Sequence, residues 1–221
     1  MQRRYRIGAI HALMNAIPTT QLAFDRVWSG VDVAHLLDGG LYLDRNAGTA
    51  DDTELASRID RLVHYSAETG SEGIIMTGSF FGEAVKQARA GMSVPVLTSF
   101  EGIIERAFEL DRPLHVVATA PDSATLLAAE LEREATRRAH PLTITRQAVD
   151  GAMDALIGGD GDSHDRLVVD AVRAADAETA VLFAQFSMER SLPAGAAVHA
   201  APVVGPASEG VARLRRLLAT R

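Results

Sequence analysis

The sequence predicts an α/β protein of two duplicated lobes, each built on a four-stranded parallel sheet with flanking helices. Three observations carry this. Short apolar runs such as Ile74-Ile75-Met76 and Ala180-Val181-Leu182-Phe183 alternate with longer stretches of helical spacing. Segments of the first half recur in the second at a near-constant distance: Arg6–Ala12 matches Leu114–Ala120, 108 residues on, while Ile74–Gly78 matches Val181–Gln185 and Pro95–Leu97 matches Pro202–Val204, both 107 on. The apolar runs also end in hydroxyl, amide, glycine or histidine residues, the composition of turns that feed helix N-termini.

In chain order, Tyr5–Ile10 reads as the first strand and ends at His11, with a loop to Pro18. Thr19–Ser29 has helical spacing, and Val31–Leu37 is the second strand, closed by Asp38-Gly39-Gly40. The polar segment Asp44–Asp52 reads as a loop, and Thr53–Thr69 as a long helix capped by Thr53. The third strand, Gly73–Met76, breaks at Thr77-Gly78-Ser79, where Gly78 permits a sharp turn and close ligand approach and Ser79 suits a cap for the following helix. Val94–Leu97 is a short strand leading through Thr98-Ser99 into a helix over Phe100–Glu109. The second half repeats the layout: strand Leu114–Ala118 ending at Thr119, helix Asp122–Ala139, strand Leu142–Val149, a glycine-rich loop Gly158–Asp162, helix His164–Ala175, strand Ala180–Ala184 ending at Gln185-Phe186-Ser187-Met188, strand Ala201–Val204 and helix Ser208–Thr220. These are Rossmann-like lobes. The first is expected over residues 1–97 with the C-terminal helix 206–221, and the second over 98–205.

Composition narrows the function. The 221 residues are 47% hydrophobic and 23% charged, as in a soluble globular protein. A net charge of −7 without a basic block argues against nucleic acid. The basic start, Met1 to Arg6, is followed by no long apolar run, so no membrane span or leader is expected and a cytoplasmic location is inferred. With no cysteine, disulfides, thiolate metal sites and thiol catalysis are excluded. Lys86 is the sole lysine; a pyridoxal-phosphate enzyme would need it, but it sits in a helical pattern that suits a solvated face.

Ligands of parallel sheets bind beyond the carboxyl ends of the strands. If the two lobes face each other, those ends share one cleft, and His11, Thr77-Gly78-Ser79, Thr98-Ser99, Thr119, Gln185-Phe186-Ser187 and Pro206-Ala207-Ser208 line it. Many neutral donors and few charges suit a small carboxylate or an enediolate.

The duplication, with Thr77-Gly78-Ser79 after the third strand of one lobe and Gln185 in the matching place of the other, resembles the aspartate/glutamate/hydantoin racemase superfamily across nearly the whole chain. The family carries one cysteine per lobe at these places, the first in a Thr-Cys-Ser motif, and moves a proton at the carbon next to a carboxylate. Here Gly78 stands in the first cysteine position and the second falls at or next to Gln185, so both thiols are missing. At Gly78-Ser79 the chain also resembles arylmalonate decarboxylase of the same superfamily, in which glycine replaces the first cysteine; that enzyme keeps its second cysteine and this chain does not. The resemblance implies a cofactor-independent enzyme acting on a small-molecule carboxylate, of lyase (decarboxylase) type first. A racemase or isomerase working without thiols, or a non-catalytic carboxylate-binding protein, are the alternatives. His11, Gly78, Ser79 and Gln185 are the expected catalytic positions, and Thr77, Ser99, Thr119, Phe186, Ser187 and Met188 the substrate-binding ones. His11 would move the proton and would titrate near neutrality. Glu189, at a helix start, is a weaker second candidate, and His164 is read as a helix cap rather than a metal ligand. Glu101 and Glu209 are read as first-turn acids that complement helix dipoles. Metal and cofactor are not expected; a homo-oligomer is compatible with lobes of this size.

Overall fold

A computed structural model describes residues 4–220; residues 1–3 and 221, at the outer limits of the predicted first lobe, lie outside them. The chain divides into two compact units. One takes the chain up to Gly102 and again from Gly210, and the other is Ile103–Glu209.

The first unit contains β1 (Arg6–His11), α1 (Ala16–Val27), β2 (Asp32–Leu37), α2 (Gly40–Ala47), α3 (Asp52–Glu68), β3 (Gly73–Met76), α4 (Gly82–Ala88) and β4 (Val96–Leu97), with most of the last helix, α10 (Pro206–Ala219). All strand pairs are parallel, in the order β2-β1-β3-β4. The second unit contains most of α5 (Glu101–Leu110), then β5 (Leu114–Ala118), α6 (Pro121–Arg138), β6 (Ile144–Ala148), α7 (Ala152–Ile157), α8 (Gly161–Ala174), β7 (Ala180–Phe183), α9 (Leu192–Val198) and β8 (Val203–Val204). Its parallel order is β6-β5-β7-β8, the same topology. The strand that changes winding direction is central in each sheet, which places the crevice between β1 and β3 in one unit and between β5 and β7 in the other.

Alternate residues of β1 serve the two sides of the first sheet. Ile10 packs with Ile59 and Val63 of α3 and with Ile74, Met76 and Val85. Gly8 is on the same side, where a Cβ would lie 2.0 Å from the Ser66 hydroxyl oxygen of α3; glycine here is what lets α3 close on the strand. Ala9 and His11 face the other side. The second core joins Val117, Val168, Val172, Val181, Phe183 and Met188.

Register refines the duplication. Ile7 pairs with Gly73 and Leu114 with Ala180; Ile74 pairs with Val96 and Val181 with Val203. Every equivalence is therefore 107 residues (114 − 7, 180 − 73, 203 − 96). The expected 108-residue match of the first strands is off by one: His11 corresponds to Ala118, and Thr119 to Ala12.

Several predicted elements need correction. The segment read as a loop from Asp44 contains the end of α2, whose polar residues are tied down from elsewhere: Arg58 of α3 donates to Asp38 at 2.6 Å and to Asp44 at 2.6 Å. Asp51, not Thr53, caps α3, in a reciprocal capping box with Glu54. Ser79 caps no helix; it opens a 3-10 turn, Ser79–Phe81, before α4. Asp160 caps α8, accepting from the Ser163 N–H, so His164 is not the cap. The helices α7 and α9 were not expected. Lys86 pairs with Glu83 at 2.8 Å, one turn away on α4.

Candidate active site

The carboxyl end of the first sheet is organised around His11. β1 and β3 are in register through Ile10 and Met76, so His11 and Thr77 sit directly across from each other, and His11 Nδ1 is 3.1 Å from the Thr77 hydroxyl. On the other flank Ala9 pairs with His35 of β2. The alanine methyl leaves room for the His35 ring to lean two residues forward, and His11 Nε2 meets His35 Nδ1 at 2.9 Å. His35 Nε2 in turn lies 3.1 Å from Gln21 Oε1 on α1. His11 has no exposed surface. Burial, with the His35 ring beside it, lowers its pKa from 6.5 to about 3; burial also pushes His35 down. The expected titration of His11 near neutrality is thus corrected: a buried imidazole with both nitrogens engaged stays neutral.

Thr77 is almost buried, at 7% exposure, and its hydroxyl has the Ile10 carbonyl at 3.3 Å as an alternative acceptor. Gly78 is extended (φ −82°, ψ 112°), a conformation open to any residue. The space beside it is not open. A Cβ there would lie 2.6 Å from Cδ2 of Phe81, whose ring fills the volume a side chain would take. The backbone at Gly78 would accept a cysteine, but its side chain requires Phe81 to move. Gly78→Cys should therefore destabilise the first unit by about 1–3 kcal/mol through overpacking, and Phe81→Leu should recover most of that loss in the double variant. Additive losses in a double-mutant cycle of urea midpoints would break the link between the two side chains.

Beyond β4 the hydroxyls of Thr98 and Ser99 are buried and have no hydrogen-bond partner among the described residues. The Thr98 N–H is satisfied by Glu101, which also takes Arg89 at 2.8 Å. Glu101 thus closes the turn into α5 and binds a cation, in addition to sitting in a first turn.

The equivalent edge of the second unit is built around an amide. Gln185 is the residue after the break in β7, and its Oε1 accepts from both the Thr119 N–H at 2.7 Å and the Thr119 hydroxyl at 3.0 Å. The carboxyl-edge crevice of this sheet is bridged by that amide. Beside it a pocket of about 300 Å³ is lined by Thr119, Val149, Asp150, Gly151 and Met153. Ser187 is buried at 7% exposure. Two expected ligand contacts are core residues instead: Met188 packs against Val117 and Val181, and Phe186 is 2% exposed. Their apolar side chains turn inward because the 3-10 turn Phe186–Ser191 presents them to the sheet.

That turn is held by a cluster the sequence did not reveal as one unit. The Asp165 carboxylate accepts from Ser191 at 2.7 Å, from Arg190 Nε at 2.8 Å and from His164 Nδ1 at 2.9 Å. Burial raises the pKa of Asp165, but these three donors outweigh it and hold the group below the usual carboxylate range. Burial lowers the pKa of the buried His164 ring, and the Asp165 carboxylate opposes that shift. Among the described residues no cluster of His, Asp or Glu could hold a metal ion. Glu189, fully buried, accepts from the Ser208 hydroxyl and from its N–H at 3.3 Å. It serves the N-terminus of α10.

No family model matches the sequence, and no curated protein matches it. Solved structures do match over nearly the whole chain, and they show its fold, which is that of racemases of known structure. It is similar to the allantoin racemase of Klebsiella pneumoniae (16% identity, TM-score 0.70, covering 98% of this chain and 88% of that one). It is also similar to the aspartate racemase of Picrophilus torridus (11%, 0.71, 97% and 94%) and the glutamate racemase RacE1 of Bacillus anthracis (10%, 0.71, 98% and 82%). Identities this low carry the fold and not the chemistry. Among the described residues no helix is long and apolar enough to cross a membrane.

Proposed function

We propose that the protein is a cofactor-independent isomerase that moves a proton at the carbon next to a carboxylate of a small acid, without thiols. One observation favours this over the lyase preferred from sequence: the resting site holds a base, not an acid. Breaking a C–H bond needs an acceptor for the proton, which loss of CO2 does not, and neutral His11 presents its Nδ1 to the Thr77 hydroxyl at 3.1 Å. In this reading the C–H bond next to the carboxylate breaks, its proton passes to the Thr77 oxygen, and the Thr77 proton passes to His11 Nδ1. The electron pair is delocalised into the carboxylate as an enediolate, water returns a proton on the opposite face, and the proton held by His11 leaves through Thr77 to neutralise the hydroxide so formed. A bound carboxylate favours the imidazolium by its charge, so the substrate raises the basicity of the group that attacks it. Ser79, two residues beyond Thr77, would hold the anion, with Gly78 keeping the turn small. The similar fold of the allantoin, aspartate and glutamate racemases supports the same reading.

The test is solvent exchange. Enantiopure aspartate, glutamate and allantoin, with an arylmalonate, are incubated in D2O and followed by NMR and by CO2 release. Deuterium at the reacting carbon without CO2 is expected. CO2 release without exchange would restore the lyase reading, and saturable binding with neither would leave a carboxylate-binding protein, which the non-titrating Gln185 edge favours. His11→Ala should lower kcat by about 10²–10⁴-fold. Because kcat/KM reports the free enzyme, it should show no His11 limb between pH 5 and 8, while kcat shows the base titrating higher in the complex.

A further inference from the structure

The side chains around His11 form a directed chain, and its direction is set at the surface of α1. Gln21 Nε2 donates to the Asp25 carboxylate one turn on, at 2.7 Å. A carboxylate can only accept here, so the amide nitrogen points to Asp25 and the amide oxygen to His35. Gln21 Oε1 has no proton to give; the 3.1 Å contact therefore places a proton on His35 Nε2. Neutral His35 then has a bare Nδ1, which must accept from His11 Nε2 across 2.9 Å. Neutral His11 is left with a bare Nδ1, and the Thr77 hydroxyl donates to it. The opposite polarity would set two donors or two acceptors against each other at Gln21.

We propose that His35, held by Gln21, is a positioning residue that fixes His11 in the Nε2–H tautomer and so keeps His11 Nδ1 as an acceptor for the Thr77 hydroxyl. The inference rests on the proposed function only in giving that acceptor a task. Neither His35 nor Gln21 stands out in the sequence: His35 lies within a strand-like run, and Gln21 on a helix. What joins them is the two-residue stagger that Ala9 permits. The arrangement follows the logic of a nucleophile, a base and an orienting group, with an imidazole in the orienting place.

The experiment reads the tautomers directly, in unliganded protein carrying ¹⁵N-histidine, by long-range ¹H–¹⁵N correlation at pH 7.5. Both His11 and His35 are expected to carry one proton, on Nε2. In His35→Leu the single tautomer of His11 should be lost to a mixture or to the Nδ1–H form. Gln21→Met, on the helix surface, should release His35 and shift His11 the same way, while Gln21→Glu keeps an acceptor and should keep the wild-type pattern. A proton on His11 Nδ1 in the wild type overturns the proposal, as does a His11 tautomer unchanged in His35→Leu. If that variant does not fold, an unchanged tautomer in Gln21→Met overturns it instead. Failure of every substrate to react would defeat the proposed function and leave these spectra unaffected, so the two fail separately.

Discussion

Lowering the pH from 6.5 to 4 should cost the first unit roughly 3 kcal/mol through His11 alone, at about 1.4 kcal/mol for each pH unit. In the unfolded chain the imidazole takes up a proton near 6.5, whereas in the folded chain it resists protonation until about 3. Between those values the unfolded state binds more protons, so stability rises with pH; above 6.5 both states are neutral and the dependence vanishes. His35, also pushed down by burial, adds in the same direction. The only tryptophan, Trp28, ends α1 and packs on Tyr5, so its fluorescence follows the first unit. Urea midpoints read at Trp28 from pH 7.5 to 4 should fall steeply in the wild type. In His11→Gln, which keeps a polar side chain but removes the titration, they should fall much less. Parallel slopes in the two proteins would mean that His11 is protonated in the folded state at pH 4 and is not the buried neutral ring described above.

The largest single loss expected in the second unit comes from Asp165→Ala. This change removes one acceptor from three donors at once, and a charged acceptor withdrawn from partly buried partners costs about 3 kcal/mol. Arg190 is the more exposed partner and contributes less; Ser191 and His164 are buried and are left unsatisfied. The consequence reaches the candidate site because Ser191 closes the 3-10 turn that begins at Phe186, directly after Gln185. Hydrogen exchange followed by mass spectrometry should show faster exchange over residues 180–199, with the β5–β6 segment little changed. Asp165→Asn, which keeps one acceptor oxygen, should fall between the two. Wild-type exchange over the turn in Asp165→Ala would show that core packing of Phe186 and Met188 holds it without the carboxylate.

The sequence by itself determined the strands, the parallel winding and the duplication. Runs such as Ile74–Met76 and Ala180–Phe183 are buried on both faces, and only a parallel sheet with helices on each side offers that environment. It also placed Thr77, Gly78, Thr119 and Gln185 at strand ends, because a break in apolar patterning marks where a strand leaves the core. What it could not determine was how those residues meet. The Gly78 position was legible as a missing side chain, but only packing shows that Phe81 has taken the space. His11 was legible as a histidine at a strand end and was read as a titrating acid; three-dimensional burial and the His35 ring make it a neutral acceptor. In sequence His11 matches Thr119 as readily as Ala118, because apolar strands align almost equally well one residue out, whereas backbone hydrogen bonds admit a single register. Met188 and Phe186 followed a strand into a turn whose direction no local pattern encodes, and tertiary contacts sent them inward. The clusters at His11 and Asp165 each join residues more than 20 positions apart, and their charges and tautomers follow from distances that only the folded chain defines.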